Sequence, residues 1–423
     1  MTEMVVTIAA DAKHRSNLSE TPGRGAGSTS RPTAASPLDI LYHHRVLADD
    51  GMRVHISAIV NALTTDGHTV RLVGPDANSA QSRSVTGRLG RLRKRLPGWL
   101  GEILELGYNL PAFLRLARTI RQRRPDVLYE RYNMYLLAGV WASRLWRVPL
   151  ILEVNAPLAD ERSAEGQLAL RRLGRWCERY VWRRADAVLP VSHVLKRYVQ
   201  AADVPADRIQ VVPNGAAAPG DPATLATRAA RVRQEHRLEN KLVLGFVGFV
   251  RPWHGMRHVV DALVDLQAWD PVLLIVGDGP ARAEIEQRAA DLGITDRVVF
   301  TGRVDHTSVP AYVATFAIAL QPAVTPYASP LKLLDYAAAG CAIVAPDQAN
   351  IRELVEPGVS ARLVPPGDPD ALRAVLRDLA TAPDERRRLG EGARARIVDC
   401  GLTWQANARR IGDLGNRLRG SRP

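Results

Sequence analysis

Residues 329–345 read SPLKLLDYAAAGCAIVA, and this stretch decides how the chain is built. Ser329 is a helix-capping residue type and Pro330 suits a first helical position, so the pattern predicts a helix opening there. The small residues of AAAG and the apolar run CAIVAP predict a helix packed closely on a sheet and followed by a buried strand. A helix that only packed could do without charge, yet Lys332 and Asp335 stand three apart and share one face. The free N–H groups and dipole of such a helix start favour an anion, a diphosphate above all, to which Lys332 adds charge. Asp335, one turn deeper, is placed to accept hydrogen bonds from ribose hydroxyls. A surface salt bridge on a capped helix is the competing reading of the pair.

Strand–helix alternation extends from this segment through the chain. LDILYHH, HTVRLVG, DVLYERY, PLILEVN, ADAVLPVS and IQVVPNG read as strands of a first set, and KLVLGFVG, PVLLIVGDG, RVVFTG, FAIALQP, AIVAP and ARLVPP as a second. Amphipathic segments such as GMRVHISAIVNALTTDG lie between them. Short apolar runs alternating with helices mean βαβ units and parallel sheets. The expected fold class is α/β, with two doubly wound Rossmann-like domains facing a central cleft. The expected division is a disordered Gly/Ser/Thr/Pro-rich extension at 1–37, an N-terminal domain at 38–215, a linker and helix at 216–240, a C-terminal domain at 241–400, and a C-terminal helix at 401–423 packing back towards the N-terminal domain. Ligand is expected where strand carboxyl ends of both domains meet.

Composition agrees with two soluble cores: 423 residues, 46% hydrophobic and 24% charged. A formal net charge of +13 points to an anionic partner or to an arginine-rich composition. Cys177, Cys341 and Cys400 are far apart with no CxxC spacing, which argues against a zinc site or a disulfide framework and for a reducing compartment. No apolar run approaches the ~20 residues of a spanning helix. MTEMVVTIAAD carries Glu3 where a signal peptide carries positive charge, so the expected location is cytoplasmic, with peripheral attachment to the inner face of a membrane as an extension of it.

The ordered motifs VVPNG (211–215), GFVGFVRPWHG (245–255), VGDGP (276–280), VVFTGRV (298–304) and SPLKLLDYAAAG (329–340) resemble the family 4 glycosyltransferases of the GT-B fold over roughly residues 38–400. The resemblance implies a retaining glycosyltransferase that moves a hexose-type sugar from a nucleoside diphosphate sugar, UDP by default, to a glycan, lipid-linked or small-metabolite hydroxyl. It places donor binding at Gly248, Gly277, Gly279, Tyr327, Ser329, Pro330, Leu331 and Asp335, with Arg251, His254 and Lys332 as the catalytic charge-stabilising set. Two departures stand out. Tyr327 occupies the first glutamate position of the family's Glu-x7-Glu motif, and Asp335 the second. Phe249 and His254 occupy the places of an Arg and a Lys that clamp diphosphate, leaving Arg251 to supply the charge. No Asp-x-Asp metal cluster stands out, so no cofactor and no obligatory metal are expected. A nucleotide-sugar epimerase of the same fold and a non-catalytic nucleotide-sugar-binding partner protein are the alternatives, while nucleic-acid binding has no recognised module behind it.

On the N-terminal side, Gly51 opens a helix, His55 lies one turn into it, and Glu130, Glu153 and Asn155 sit at strand ends, giving the candidate acceptor set. His43 and His44 close the first strand and are further candidates. Residues 83–124 are basic at both ends with Trp99, Leu100, Ile103, Leu104 and Phe113 between, and Arg171 to Arg184 adds a second basic cluster with Trp176 and Trp182. Such segments fit docking on an anionic membrane surface. An ordinary packed helix with a solvated arginine face is the plainer reading of the same residues.

Overall fold

The computed structural model describes residues 7–8, 36–46, 51–75, 97–217 and 221–421. Most of the expected extension, and the basic run at 83–96, lie outside the described residues. Thr7–Ile8 (β1) depart from a featureless extension by pairing antiparallel with Thr69–Val73 (β3).

The remaining N-terminal strands are Asp39–His43 (β2), Val127–Arg131 (β4), Leu150–Val154 (β5) and Ala187–Pro190 (β6). They form one sheet in the order β1-β3-β2-β4-β5-β6, parallel apart from β1. The second sheet runs β12-β11-β10-β7-β8-β9 and is parallel throughout. Its strands are Leu242–Val247 (β7), Pro271–Val276 (β8), Val298–Phe300 (β9), Ile318–Leu320 (β10), Ala342–Pro346 (β11) and Arg362–Val364 (β12). Buried on both faces, these strands read as continuous Val/Ile/Leu runs, which is why the sequence shows them clearly. IQVVPNG is the exception. Ile209 makes one bridge to Val188 and the segment then leaves the sheet to cross between domains.

Each sheet reverses its winding once, between β2 and β4 in the first and between β7 and β10 in the second. These reversals splay the following loops apart and open a crevice at the strand carboxyl ends. Helix Leu331–Ala339 follows β10 and the Gly248 turn follows β7, so both flank the second crevice.

The chain crosses between domains at two adjacent places. The Ala216 N–H donates to Leu402 O, and the Trp404 N–H donates to Ala216 O. A Cβ at Gly215 would meet the Trp404 nitrogen at 2.4 Å, so only glycine fits between the crossings. Helix Pro222–Glu235, read in sequence with the linker, belongs to the C-terminal domain: Arg233 donates to Thr315 O and Arg228 to Thr307 O. Helix Trp404–Gly420 returns to the N-terminal domain, where Trp404, Ala408 and Ile411 join the core beneath helix Gly51–Thr65. Burial of each large apolar side chain there contributes about 1.5–3 kcal/mol.

Candidate active site

Helix Leu331–Ala339 begins one residue later than a Ser329 cap would put it. Ser329 is buried and does tertiary work instead. Its hydroxyl accepts the Asn214 backbone N–H at 3.1 Å, and its carbonyl accepts from Asn214 Nδ2 at 2.6 Å. Pro330 takes the cap position without a side-chain hydrogen bond, so the first N–H groups of the helix are left for another acceptor. Tyr336 fixes the helix from below by accepting the Val247 N–H at 2.9 Å, which ties it to the end of β7.

Lys332 and Asp335 do not pair with each other. Lys332 Nζ lies 3.7 Å from the centroid of the Phe246 ring, a cation–π contact, beside the Gly248 turn. Burial without a compensating anion lowers its pKa to about 7. Asp335 has no hydrogen-bond or ionic partner among the described residues, and burial raises its carboxyl to about 7. Both residues are largely buried, yet neither polar head is among the fully enclosed unpaired atoms, which leaves them some access to solvent. Two unsatisfied ionisable groups at a sheet's crevice mark a place for a polar, charged ligand.

His254 stands next to them. Its Nδ1 accepts the Arg251 N–H at 2.9 Å, which leaves any ring proton on Nε2. Burial, then the nearby Lys332 charge, lowers its pKa to about 3, so it is a neutral donor at physiological pH. Phe246 and Trp253 pack on its ring at 5.1 and 3.9 Å between centroids. Arg251 is exposed and lies over the Phe249 ring at 5.3 Å.

Gly248 has φ +121° and Gly277 φ +143°, which an L side chain rarely adopts. Gly277 and Gly279 have a nearer neighbour than any ligand. A Cβ at either would fall 2.2 Å from the carbonyl of Gly248 or Val250 respectively, so these glycines press one loop against the next.

Tyr327 reaches across to the N-terminal domain. Its ring packs edge-on against Tyr198, its carbonyl accepts from the Ser192 hydroxyl at 2.7 Å, and its hydroxyl pairs with Glu161, all in the N-terminal domain. Burial and Glu161 push the phenol pKa up. Tyr327 is therefore a strut between the domains. Glu353 adds another tie by accepting the His193 and Val194 N–H groups at 2.8–3.3 Å at the start of helix His193–Ala201.

The N-terminal candidates separate onto two faces. Tyr129, Arg131 and Glu153 share one face with His55. Glu153 Oε1 accepts from Arg131 and Asn155, both at 2.5 Å, and Oε2 accepts the Tyr129 hydroxyl at 2.8 Å. Burial alone would raise the Glu153 carboxyl, but His55, Arg131 and these hydrogen bonds hold it below the usual range. His55 lies 3.1 Å from Arg131 and is lowered to about 4, chiefly by burial. Glu130 points to the opposite face, fully buried and 2.5 Å from His43 Nδ1, with no side-chain surface open to an acceptor. Strand alternation explains the split, since residues 129 and 131 face one way and 130 the other. Gly51 is exposed at its helix start with open space around it.

Sequence reasoning gave no role to Asn214, Tyr336 or Glu353. Asn214 sits inside VVPNG, but its two bonds to Ser329 join residues 115 apart and leave no local signal. Among the described residues no cluster of three His, Cys, Asp or Glu is arranged to hold a metal ion.

The family described as "Glycosyl transferase 4-like domain" matches residues 50–215, and "Glycosyl transferases group 1" matches residues 241–382. The chain is 29% identical over 302 residues to the 2-deoxystreptamine glucosyltransferase of Streptomyces kanamyceticus, covering 68% of this chain and 74% of that one. It is 25% identical over 378 residues to a GDP-mannose-dependent alpha-mannosyltransferase of Mycobacterium tuberculosis, covering 84% and 89%. The solved structure of Anabaena Alr3699/HepE in complex with UDP-glucose superposes with a TM-score of 0.67 at 19% identity, covering 89% of this chain and 99% of that one. That likeness is one of fold.

Proposed function

The chain belongs to the family 4 glycosyltransferases and has the GT-B fold, and from that premise we propose that it moves a hexose-type sugar from a nucleoside diphosphate sugar to an acceptor hydroxyl with retention of anomeric configuration. The observation that carries the donor assignment is the unpaired Lys332 and Asp335 on a helix start that flanks the crevice beside Gly248. In this reading the diphosphate sits against Lys332 and the free N–H groups at Leu331. Asp335 accepts from the ribose hydroxyls, which a carboxylate does in its ionised form.

As the sugar–phosphate bond breaks, negative charge grows on the leaving diphosphate. Lys332, Arg251 and the helix N–H groups stabilise that charge, and neutral His254 donates from Nε2. The departing phosphate oxygen takes the acceptor proton on the same face of the sugar, so the reaction needs no separate carboxylate base. Glu153 fits this account, because Arg131, Asn155 and Tyr129 already occupy its oxygens. With positive charge supplied by side chains, turnover is expected without added divalent cation.

UDP is the first candidate carrier, as the family resemblance implies, and GDP the second, since one relative is a GDP-mannose-dependent enzyme. The acceptor is a hydroxyl of a glycan, a lipid-linked sugar or a small metabolite. A thermal-shift screen against UDP-, GDP-, ADP- and dTDP-sugars, with and without magnesium, tests the reading. One donor family should raise the melting temperature regardless of metal, and release its nucleotide once acceptor is added. A shift with none of them would overturn the donor assignment.

A further inference from the structure

Four helices cover one face of the N-terminal sheet: Gly98–Gly107, Asn109–Gln122, Ala138–Trp146 and Arg171–Arg184. They form one continuous layer. Glu102 of the first helix accepts the Ala169 and Leu170 N–H groups at the start of the last, at 2.5 and 2.9 Å. Phe113 of the second packs on Trp141 and Trp146 of the third, and Arg144 of the third donates to Arg184 O of the last at 2.9 Å.

This layer is partly inside out. Its three acidic residues are all buried: Glu102 as above, Glu105 paired with Arg162 at 2.9 Å, and Glu178 accepting from Tyr132 and the Ala159 N–H, both at 3.2 Å. Large apolar side chains take the outside instead, with Trp99, Ile103, Leu104, Leu114, Trp141 and Trp176 all exposed. Most of the exposed large apolar side chains among the described residues lie on this one layer, whereas such residues are ordinarily scattered. Between them run arginines. Helix Arg171–Arg184 carries an open groove of about 570 Å³ lined by Arg172, Arg175, Arg179, Trp176 and Tyr180, with the two aromatic rings stacked at 5.3 Å. Arg172 and Arg179 have no carboxylate partner among the described residues, whereas Arg175 lies 3.7 Å from Asp160.

We propose that the outer face of this layer docks the protein on an anionic lipid bilayer. Every carboxylate of the four helices is turned inward, so the charge the layer carries is basic; Arg175 and Arg183 are matched from outside it by exposed Asp160 and Asp203, and an extended anionic surface is the complement of the remaining arginines. Three exposed tryptophans standing among arginines suit the headgroup boundary, where an indole keeps one edge wet and its face in the acyl region. No helix among the described residues is long and apolar enough to cross a membrane, and the docking proposed is peripheral. Docking does not depend on the sugar-transfer reading, and vesicle binding and donor binding are read separately.

The test is flotation of the full chain with vesicles of phosphatidylcholine alone and of phosphatidylcholine with phosphatidylglycerol. The protein should float with the anionic vesicles only, and added salt should release it. A basic side chain near an anionic surface is worth on the order of fivefold in affinity, so the double variant Arg172→Gln/Arg179→Gln should bind at least about tenfold more weakly. Leu104→Ser/Leu114→Ser should also weaken flotation, while both variants keep the wild-type melting temperature. Absence of flotation, or flotation unchanged by both variants, would overturn the proposal. A stable dimer in light scattering that Leu104→Ser/Leu114→Ser dissolves would overturn it too, by assigning the face to a second copy of the chain.

Discussion

Two polar clusters face the space between the domains, and they differ in one respect. On the N-terminal side, Glu153 is surrounded by Arg131, His55, Asn155 and Tyr129, and both its oxygens are engaged. On the C-terminal side, Lys332 and Asp335 are also displaced from their ordinary pKa values, by burial, but have no ionic partner among the described residues. The first cluster is complete without a ligand and the second is not. A perturbed titratable group therefore signals structure where its partners are protein, and a binding site where they are missing.

The comparison breaks most visibly if Arg131 is dispensable. Arg131→Ala leaves Glu153 buried without its guanidinium, and should cost about 3–5 kcal/mol in a denaturant titration. Loss of less than about 1 kcal/mol would mean that the cluster is not closed on itself. Next in size, Lys332→Met should lower kcat by roughly a hundredfold or more, as removal of a charge stabiliser does elsewhere, without lowering stability.

Asp335→Asn should weaken donor binding about tenfold (about 1.4 kcal/mol). It should also raise the melting temperature of the free protein by about 2 °C, since the ionised carboxyl is disfavoured by burial and its removal relieves that cost. A drop in melting temperature would show that Asp335 has a structural partner after all.

Acidity sharpens the contrast further. Donor binding needs Lys332 protonated and Asp335 ionised, and both titrate near pH 7, so affinity in calorimetry should peak near neutrality and fall on both sides. The N-terminal side answers to pH through stability. His55 and His44, both lowered to about 4 mainly by burial, fold in the neutral form. Their contribution is complete above the unfolded histidine pKa of about 6.5 and is lost as pH falls towards about 4. The melting temperature should decline over that window, and less steeply in His55→Gln.

The fold was legible because doubly buried strands make uninterrupted apolar runs, and the Lys332/Asp335 pair because helical spacing puts them on one face. Direction and distance were not. Ser329 has the chemistry of a cap but spends it on Asn214, a tertiary choice that competes with the local one. Tyr327 aligns with a donor-binding position, yet Tyr198 and Glu161 draw its side chain into the other domain. Glu130 is a strand-end carboxylate like Glu153, but strand alternation in YERY puts it on the face away from Arg131, against His43.

The most direct test of the unsatisfied site is calorimetric titration of the best donor into the wild-type chain and into Lys332→Met and Asp335→Asn, with melting temperatures taken alongside. The account predicts that both variants melt at or above the wild-type temperature and bind donor at least about tenfold more weakly. Wild-type donor affinity in either variant, with the fold intact, would contradict it.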